Sequence, residues 1–382
     1  MKTHCSEPYK QIHFDSRGNL GPCCQYVGER PNVESFDEYL SSDWLANLKS
    51  KLDKGEQVSG CDFCWKQENK GAKSMREKRN AYYEGKPDKG IEHIMITFGN
   101  QCNTACRICN ASRSSLIEKQ YKAMTSSIDD PDLYKLVTKK HDWSKSKTWY
   151  RNIIDNIVAR ADSIRKLEIS GGEPFINVHF DRLIDALLES GKQLPGLNIT
   201  TNGSFTEEQI QKLEAFDHLH INYSIDGSGK NFYEYLRWPL KWNDTLEKID
   251  ILKKYPWITC EFAIVPHNLN ILNLADSIKF FKEYTNHQDR FKVGFSWLNG
   301  APWYKLDNTP DSVRQQVKQQ IKDIDLSKYT EEEQEQIIEL YNMIAHANNP
   351  SHKDMLQSHV SMTDTYRTCN TWEIIGWNYE SI

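Results

Sequence analysis

From about residue 91 to residue 300 the chain alternates between two hydrophobic rhythms. Short runs rich in Ile, Val, Phe and Thr predict strands at His93–Phe98, Lys166–Ser170, Leu197–Thr201, His218–Ile225, Ile258–Val265 and Lys292–Trp297. Most of them close on a Gly, Asn or Asp turn. Between them, apolar residues three and four apart predict helices, as at Asp181–Ser190, Thr206–Ala215 and Thr245–Lys254. Strands alternating with helices predict an α/β fold whose parallel sheet is covered by helices. Six such units are too few to close an eight-stranded barrel, so a curved, partial (βα)6 parallel barrel is expected.

The flanks follow other patterns. The first crossover runs from Cys109 to Arg165, with helices expected at Ser114–Met124 and Tyr150–Ala161. The Lys-rich segment between them, Thr125–Lys147, reads as a solvated insertion and only secondarily as a substrate lid. In residues 1–88, Phe36, Tyr39, Leu40, Trp44, Leu45, Leu48 and Leu52 share one helical stripe, read as a packed core, with cysteine-bearing loops around it. Residues 301–382 predict a mostly helical tail, striped by Val313, Val317, Ile321 and Ile324, against the open side of the barrel. The expected organisation is thus a cysteine-rich module over 1–88, a barrel over 89–300 and a helical extension over 301–382.

Charge and composition remove some classes of function. Across 382 residues, 48 Lys and Arg face 53 Asp and Glu, a net charge of −5. That balance lacks the basic footprint of a general nucleic-acid binder. With 38% hydrophobic and 11% aromatic residues, the chain has material for real cores. A mean hydropathy of −0.71 and the lack of a long apolar run argue against a membrane span. The opening residues MKTHCSEPYK hold no apolar signal stretch, so a cytoplasmic location is expected.

The cysteines change the picture most. Eight of the ten lie within the first 110 residues, which is not how core cysteines scatter. In a reducing compartment, clustered thiols point to metal or redox chemistry rather than disulfides. Cys102-x3-Cys106-x2-Cys109 follows the first barrel strand in the stretch GNQCNTACRICN. Three thiolates at this spacing can hold three irons of a cubane cluster and leave the fourth iron open for chemistry. A zinc site completed by a distant ligand such as a histidine is the alternative.

These three cysteines match the CxxxCxxC signature of the radical S-adenosylmethionine (radical SAM) superfamily, and the chain resembles that family further along. Gly171-Gly172-Glu173-Pro174, after the second strand, is similar to the family's GGE motif, which meets the amino group of the bound methionine. Close backbone approach suits glycine, and a carboxylate suits an ammonium. Ser224-Ile225-Asp226-Gly227 and Arg237 resemble the segment that approaches the ribose and pairs the methionine carboxylate. Asn202 and Gly203 fit the same layout. One departure is Ile108, where the family often has an aromatic residue. Adenine packing is then expected from Phe98 or from residues around Val265 and Trp297.

A second thiol set, Cys5, Cys23, Cys61 and Cys64, with Gly18 and Pro22 ahead of Cys23, is similar to the auxiliary iron–sulfur modules called twitch and SPASM. Four cysteines suffice for one cluster, the twitch count. The module precedes the barrel here, whereas it commonly follows it. Cys24 is a spare thiol beside Cys23, and a structural zinc ribbon is the alternative for this set. Cys260 and Cys369 read as small apolar residues first. As a minority reading, either returns a hydrogen atom to a substrate radical. The histidines show no paired ligand spacing.

What the resemblance implies is an enzyme that uses a [4Fe–4S] cluster at Cys102, Cys106 and Cys109, S-adenosylmethionine, and an auxiliary [4Fe–4S] cluster. One electron from a donor such as flavodoxin or ferredoxin would cleave S-adenosylmethionine to a 5′-deoxyadenosyl radical for C–H abstraction. Oxidative modification of a peptide or protein is the expected net reaction. Dehydrogenation of a small polyol or sugar-like molecule is the alternative. A zinc-stabilised interaction protein without catalysis is a third reading, from a different class.

Overall fold

The computed structural model of the chain describes residues 3–15, 17–69, 73–125, 134, 147–298, 300–347 and 351–379. The expected insertion, Thr125–Lys147, lies almost wholly outside them. The chain is mixed α/β and divides into two compact units. One comprises Met1–Asn100, Asp142–Thr200 and Glu208–Leu219; the other comprises Gln101–His141, Thr201–Glu207 and His220–Ile382.

The first unit carries β1 (Gln11–Phe14), β2 (Leu20–Gly21), β3 (His93–Thr97), β4 (Lys166–Ser170) and β5 (Gly196–Thr201), in the spatial order β2-β1-β3-β4-β5. Only the β1/β2 pair is antiparallel; β1/β3, β3/β4 and β4/β5 run parallel. Register explains the stacking. Ile12, Ile94, Leu167 and Leu197 lie side by side, and Phe14, Ile96, Ile169 and Ile199 form the next row, all buried. Each such side chain contributes about 1.5–3 kcal/mol by leaving water. The strands β1 and β2 were not expected from the sequence. They are four and two residues long, too short for a readable alternation, and β1 extends the sheet from within the cysteine-rich segment.

The same unit holds the aromatic stripe as two helices, Phe36–Leu40 and Asp43–Asp53, rather than one. Ser42 breaks the run, because its side chain accepts the Leu45 N–H at 3.2 Å and caps the second helix. Phe36, Tyr39, Leu45, Leu48 and Leu52 are buried, as the stripe predicts.

The second unit carries β6 (Leu219–Ser224), β7 (Ile258–Ile264) and β8 (Phe291–Phe295), with β7 and β8 parallel. The helices Lys230–Leu236, Trp242–Lys254 and Leu274–Tyr284 alternate with them. As the last strand, β8 has an edge whose N–H groups need partners. Helix Glu331–His346 of the tail supplies them: Glu333 Oε1 accepts from Val293 N at 3.0 Å and Gln336 Oε1 from Phe295 N at 2.8 Å. Glu333 is in turn buried against Lys282 at 2.8 Å. Among the described residues no helix is long and apolar enough to cross a membrane.

Candidate cluster and cofactor site

The CxxxCxxC loop has no regular structure of its own, so tertiary hydrogen bonds must hold it. Ala105 N–H donates to the Trp238 carbonyl at 2.7 Å and Arg107 N–H to the Leu236 carbonyl at 3.0 Å. Ser114 Oγ donates to the Thr104 carbonyl, and the same side chain caps helix Ser115–Met124. From the tail, Arg367 donates to the Ala105 carbonyl at 2.6 Å and to Gln120 Oε1 at 2.9 Å.

Three thiols project from this loop, and polar side chains lie beside the Cys102 and Cys106 sulfurs. Thr104 Oγ1 lies 3.1 Å from Cys102 Sγ and 3.5 Å from Cys106 Sγ. Asn202 Nδ2 donates to Asn103 Oδ1 at 2.9 Å and lies 3.9 Å from Cys102 Sγ. Arg237 Nη1 donates to Cys106 Sγ at 3.4 Å, and its Nη2 meets Asp226 Oδ2 at 2.8 Å. The Cys109 thiol is pushed up to about 12 by burial and then by the neighbouring Cys106 and Cys102. Mutual repulsion of this kind between buried thiolates is relieved by a bound cation.

Asp226 sits in the left-handed region at φ 57, accepts from Val265 N at 3.0 Å, and is buried. Burial raises its carboxyl above the usual range, and Arg237 pulls it back. Gly203, at φ 91, is required next to Asn202: a Cβ there would stand 2.1 Å from the Tyr223 hydroxyl. Ser224 ends β6, half-buried.

In the first unit, Gly171 and Gly172 follow β4 with φ of 88 and 56. A Cβ on Gly171 would come within 2.3 Å of Thr97 Cγ2 and 3.1 Å of the Gly99 carbonyl, so the close turn excludes a side chain. Glu173 is fully buried and its Oε1 accepts the Phe175 N–H at 3.1 Å.

The second thiol set sits in the same unit, around an apolar cluster. Cys5 and Cys23 are buried with Tyr26, Leu48, Leu52 and Trp65, and Cys61 packs against them. Burial raises the Cys5 thiol, a hydrogen bond from the Glu7 backbone opposes the rise, and the charges of Glu7, Cys61 and Cys64 add to it. Cys61 is pushed up to about 11 by burial and then by Cys64. The Cys24 sulfur lies 4.0 Å from Sδ of Met75, which packs against the same cluster. Among the described residues no three His, Cys, Asp or Glu side chains converge tightly enough to hold a single metal ion.

Several residues near the first thiol set gave no readable signal. His267 is fully buried, its Nδ1 accepts the Leu269 N–H at 3.1 Å, and burial with the Arg237 charge pulls it down to about 3. It is therefore a neutral ring with a proton on Nε2. Arg107, inside the motif, pairs with Asp364 at 2.8 Å and donates to Cys369 Sγ at 2.9 Å. Cys369 thus borders an open cleft of about 670 Å³ lined by Val360, Asp364, Thr365, Asn370 and Trp372. Cys260 lies in β7 beside Phe291, buried in an aromatic core with Phe262.

Residues 96–281 match the model of the Radical SAM superfamily. This span is a radical SAM domain. The chain is 22% identical to a "Probable GTP 3′,8-cyclase" of Methanocaldococcus jannaschii over 189 residues, 50% of this chain and 52% of that protein. It is also 22% identical to GTP 3′,8-cyclase 3 of Mycobacterium bovis over 222 residues, 56% of this chain and 51% of that one. The chain therefore spans about half the length of these curated relatives. Among solved structures it is similar to Streptococcus suis SuiB bound to S-adenosylmethionine, with 14% identity, a TM-score of 0.38, and coverage of 73% of this chain and 57% of that one. Radical SAM enzymes work with a [4Fe–4S] cluster and S-adenosylmethionine. The donor set fits such a cluster: three thiols on one loop, with amide and guanidinium hydrogens turned toward the Cys102 and Cys106 sulfurs, which become anionic when they ligate iron.

Proposed function

We propose that this radical SAM enzyme abstracts a hydrogen atom from a C–H bond of a peptide or protein and that the net reaction is an oxidative modification. Cys102, Cys106 and Cys109 would hold a [4Fe–4S] cluster, which when reduced would supply one electron for cleavage of S-adenosylmethionine to methionine and a 5′-deoxyadenosyl radical. The observation that carries this reading is the loop itself. The Cys102 and Cys106 sulfurs have Thr104, Asn202 and Arg237 as polar neighbours, and after Cys109 the sequence offers no further cysteine until Cys260.

The chain's own residues then bind and orient the cofactor. Gly171 and Gly172 bring backbone close to the methionyl end, and Glu173 offers a carboxylate to its ammonium. Ser224, Asp226 and Asn202 supply short polar groups for the ribose side. Arg237 spends two nitrogens on Cys106 and Asp226, and its Nε, buried without a partner among the described residues, is left for the methionine carboxylate.

The organisation proposed is an auxiliary-cluster module over 1–88, a barrel over 89–300 and a helical extension over 301–382. In the module, Cys5, Cys23, Cys61 and Cys64 hold an auxiliary [4Fe–4S] cluster that takes an electron from the substrate or relays one inward. Its support is that Cys5, Cys23 and Cys61 share one apolar cluster. A flavodoxin or ferredoxin is the proposed electron donor. The curated relatives' names favour a second reading, a small-molecule substrate of the nucleoside triphosphate class.

Anaerobically loaded protein given dithionite and S-adenosylmethionine is expected to release methionine and 5′-deoxyadenosine. Deuterium from a labelled peptide substrate should appear in that 5′-deoxyadenosine. Failure to form either product would end the reading. Deuterium arriving only from labelled GTP would replace the peptide by the nucleotide.

A further inference from the structure

Arg237 is placed with unusual care for a residue whose role is to meet a cofactor. The flanking carbonyls of Leu236 and Trp238 are both bonded to amides of the cysteine loop, Arg107 N and Ala105 N. Those two bonds fix the backbone on either side of Arg237 relative to Cys106. The side chain is buried, with Nη1 3.4 Å from Cys106 Sγ and Nη2 2.8 Å from Asp226 Oδ2. Asp226 is itself held in a left-handed conformation, with one oxygen on Val265 N and its carbonyl accepting from Asn270 Nδ2 at 2.9 Å. A backbone conformation uncommon outside glycine, maintained by two tertiary hydrogen bonds, indicates that the carboxylate's position is being specified.

We infer that Arg237, aimed by Asp226, sets the reduction potential of the site through a charge-assisted hydrogen bond to the Cys106 sulfur. This rests on the reading of Cys102, Cys106 and Cys109 as cluster ligands. A reduced cluster carries one more negative charge than an oxidised one, part of it on the thiolates. A guanidinium N–H on a thiolate therefore stabilises the reduced form more and raises the potential. Burial keeps water from screening the effect. Asp226 limits it: the carboxylate on the far nitrogen turns a full positive charge into a dipole with its positive end at sulfur. The result is a moderate upward adjustment and a fixed geometry. Asp226 is accordingly a positioning residue, acting through Arg237.

The test uses the full-length, anaerobically loaded protein without S-adenosylmethionine, titrated reductively and followed by electron paramagnetic resonance. The wave belonging to this site is the one missing from Cys106→Ala. In Arg237→Met, with iron content unchanged, the ratio of reduced to oxidised cluster at a fixed potential should fall about tenfold, equivalent to a shift of about 59 mV for one electron. Arg237→Lys, which keeps the charge but not the fork, should fall between Met and wild type. An unshifted wave in a variant that carries its iron overturns the inference and leaves the cluster reading standing. If Cys106→Ala retains every wave, the cluster reading itself fails and takes the inference with it. Where neither variant loads iron, wild-type protein with guanidino-15N arginine decides. Nitrogen coupling to the reduced cluster is expected, and its absence overturns the assignment.

Discussion

The two thiol sets of this chain are built in opposite ways. Around Cys102 and Cys106 the neighbours are polar side chains: the Thr104 hydroxyl, the Asn202 amide and the Arg237 guanidinium. Around Cys5, Cys23 and Cys61 they are Tyr26, Leu48, Leu52 and Trp65. Side-chain donors aimed at sulfur make a site where the charge on a cluster changes readily. An apolar wall leaves that charge poorly compensated, which holds a cluster at a lower potential and gives it a second task as part of the core. The sequence shows both sets as clustered cysteines; under the function proposed above, the first set serves the reaction and the second holds and relays.

Cys106→Ala tests that contrast most severely. Formation of 5′-deoxyadenosine should drop to background, while iron falls from about eight to about four per chain if two four-iron clusters form, as measured by product analysis and iron assay. Next in size, Cys64→Ala should remove the other four irons and lower the thermal midpoint, because a structural metal contributes directly to folding. Cleavage of S-adenosylmethionine in a single turnover should survive that change. If both substitutions abolish cleavage equally, the division of labour is wrong. Leu52→Ala, in the wall of the second set, should cost about 2–5 kcal/mol in urea unfolding through its cavity. Thr104→Val is the mildest change, costing about 1 kcal/mol of hydrogen bonding, and should lower the potential of the first set alone.

Much of the fold was legible because its periodicities are local. The strands at Lys166–Ser170 and Ile258–Ile264 begin where alternation predicts, and the helix Trp242–Lys254 only starts three residues earlier than Thr245. The short strands β1 and β2 were not legible, since four and two residues carry no rhythm and the pairing of β1 with His93–Thr97 spans some eighty positions. The break at Ser42 was missed because a helical stripe continues across a cap when the second helix resumes in phase. At the site, Cys102, Cys106 and Cys109 announce themselves by spacing. Arg107 and Arg367 do not, because their partners Asp364 and Ala105 lie more than 250 residues away.

What the sequence determined by itself is chemical: which sulfurs lie close enough along one loop to share a cluster, where glycine permits a turn, and which strands alternate with which helices. These depend on neighbours within a few residues, and the chain carries them wherever it goes. Tertiary structure decided which of those groups face one another. It turned Arg237 toward both Asp226 and the Cys106 sulfur, set Glu333 on the bare edge of β8, and packed Cys5 and Cys23 into an apolar cluster. Such pairings arise only when distant segments are packed to exclude water, because burial is what makes a single unmatched donor or charge costly enough to dictate its partner.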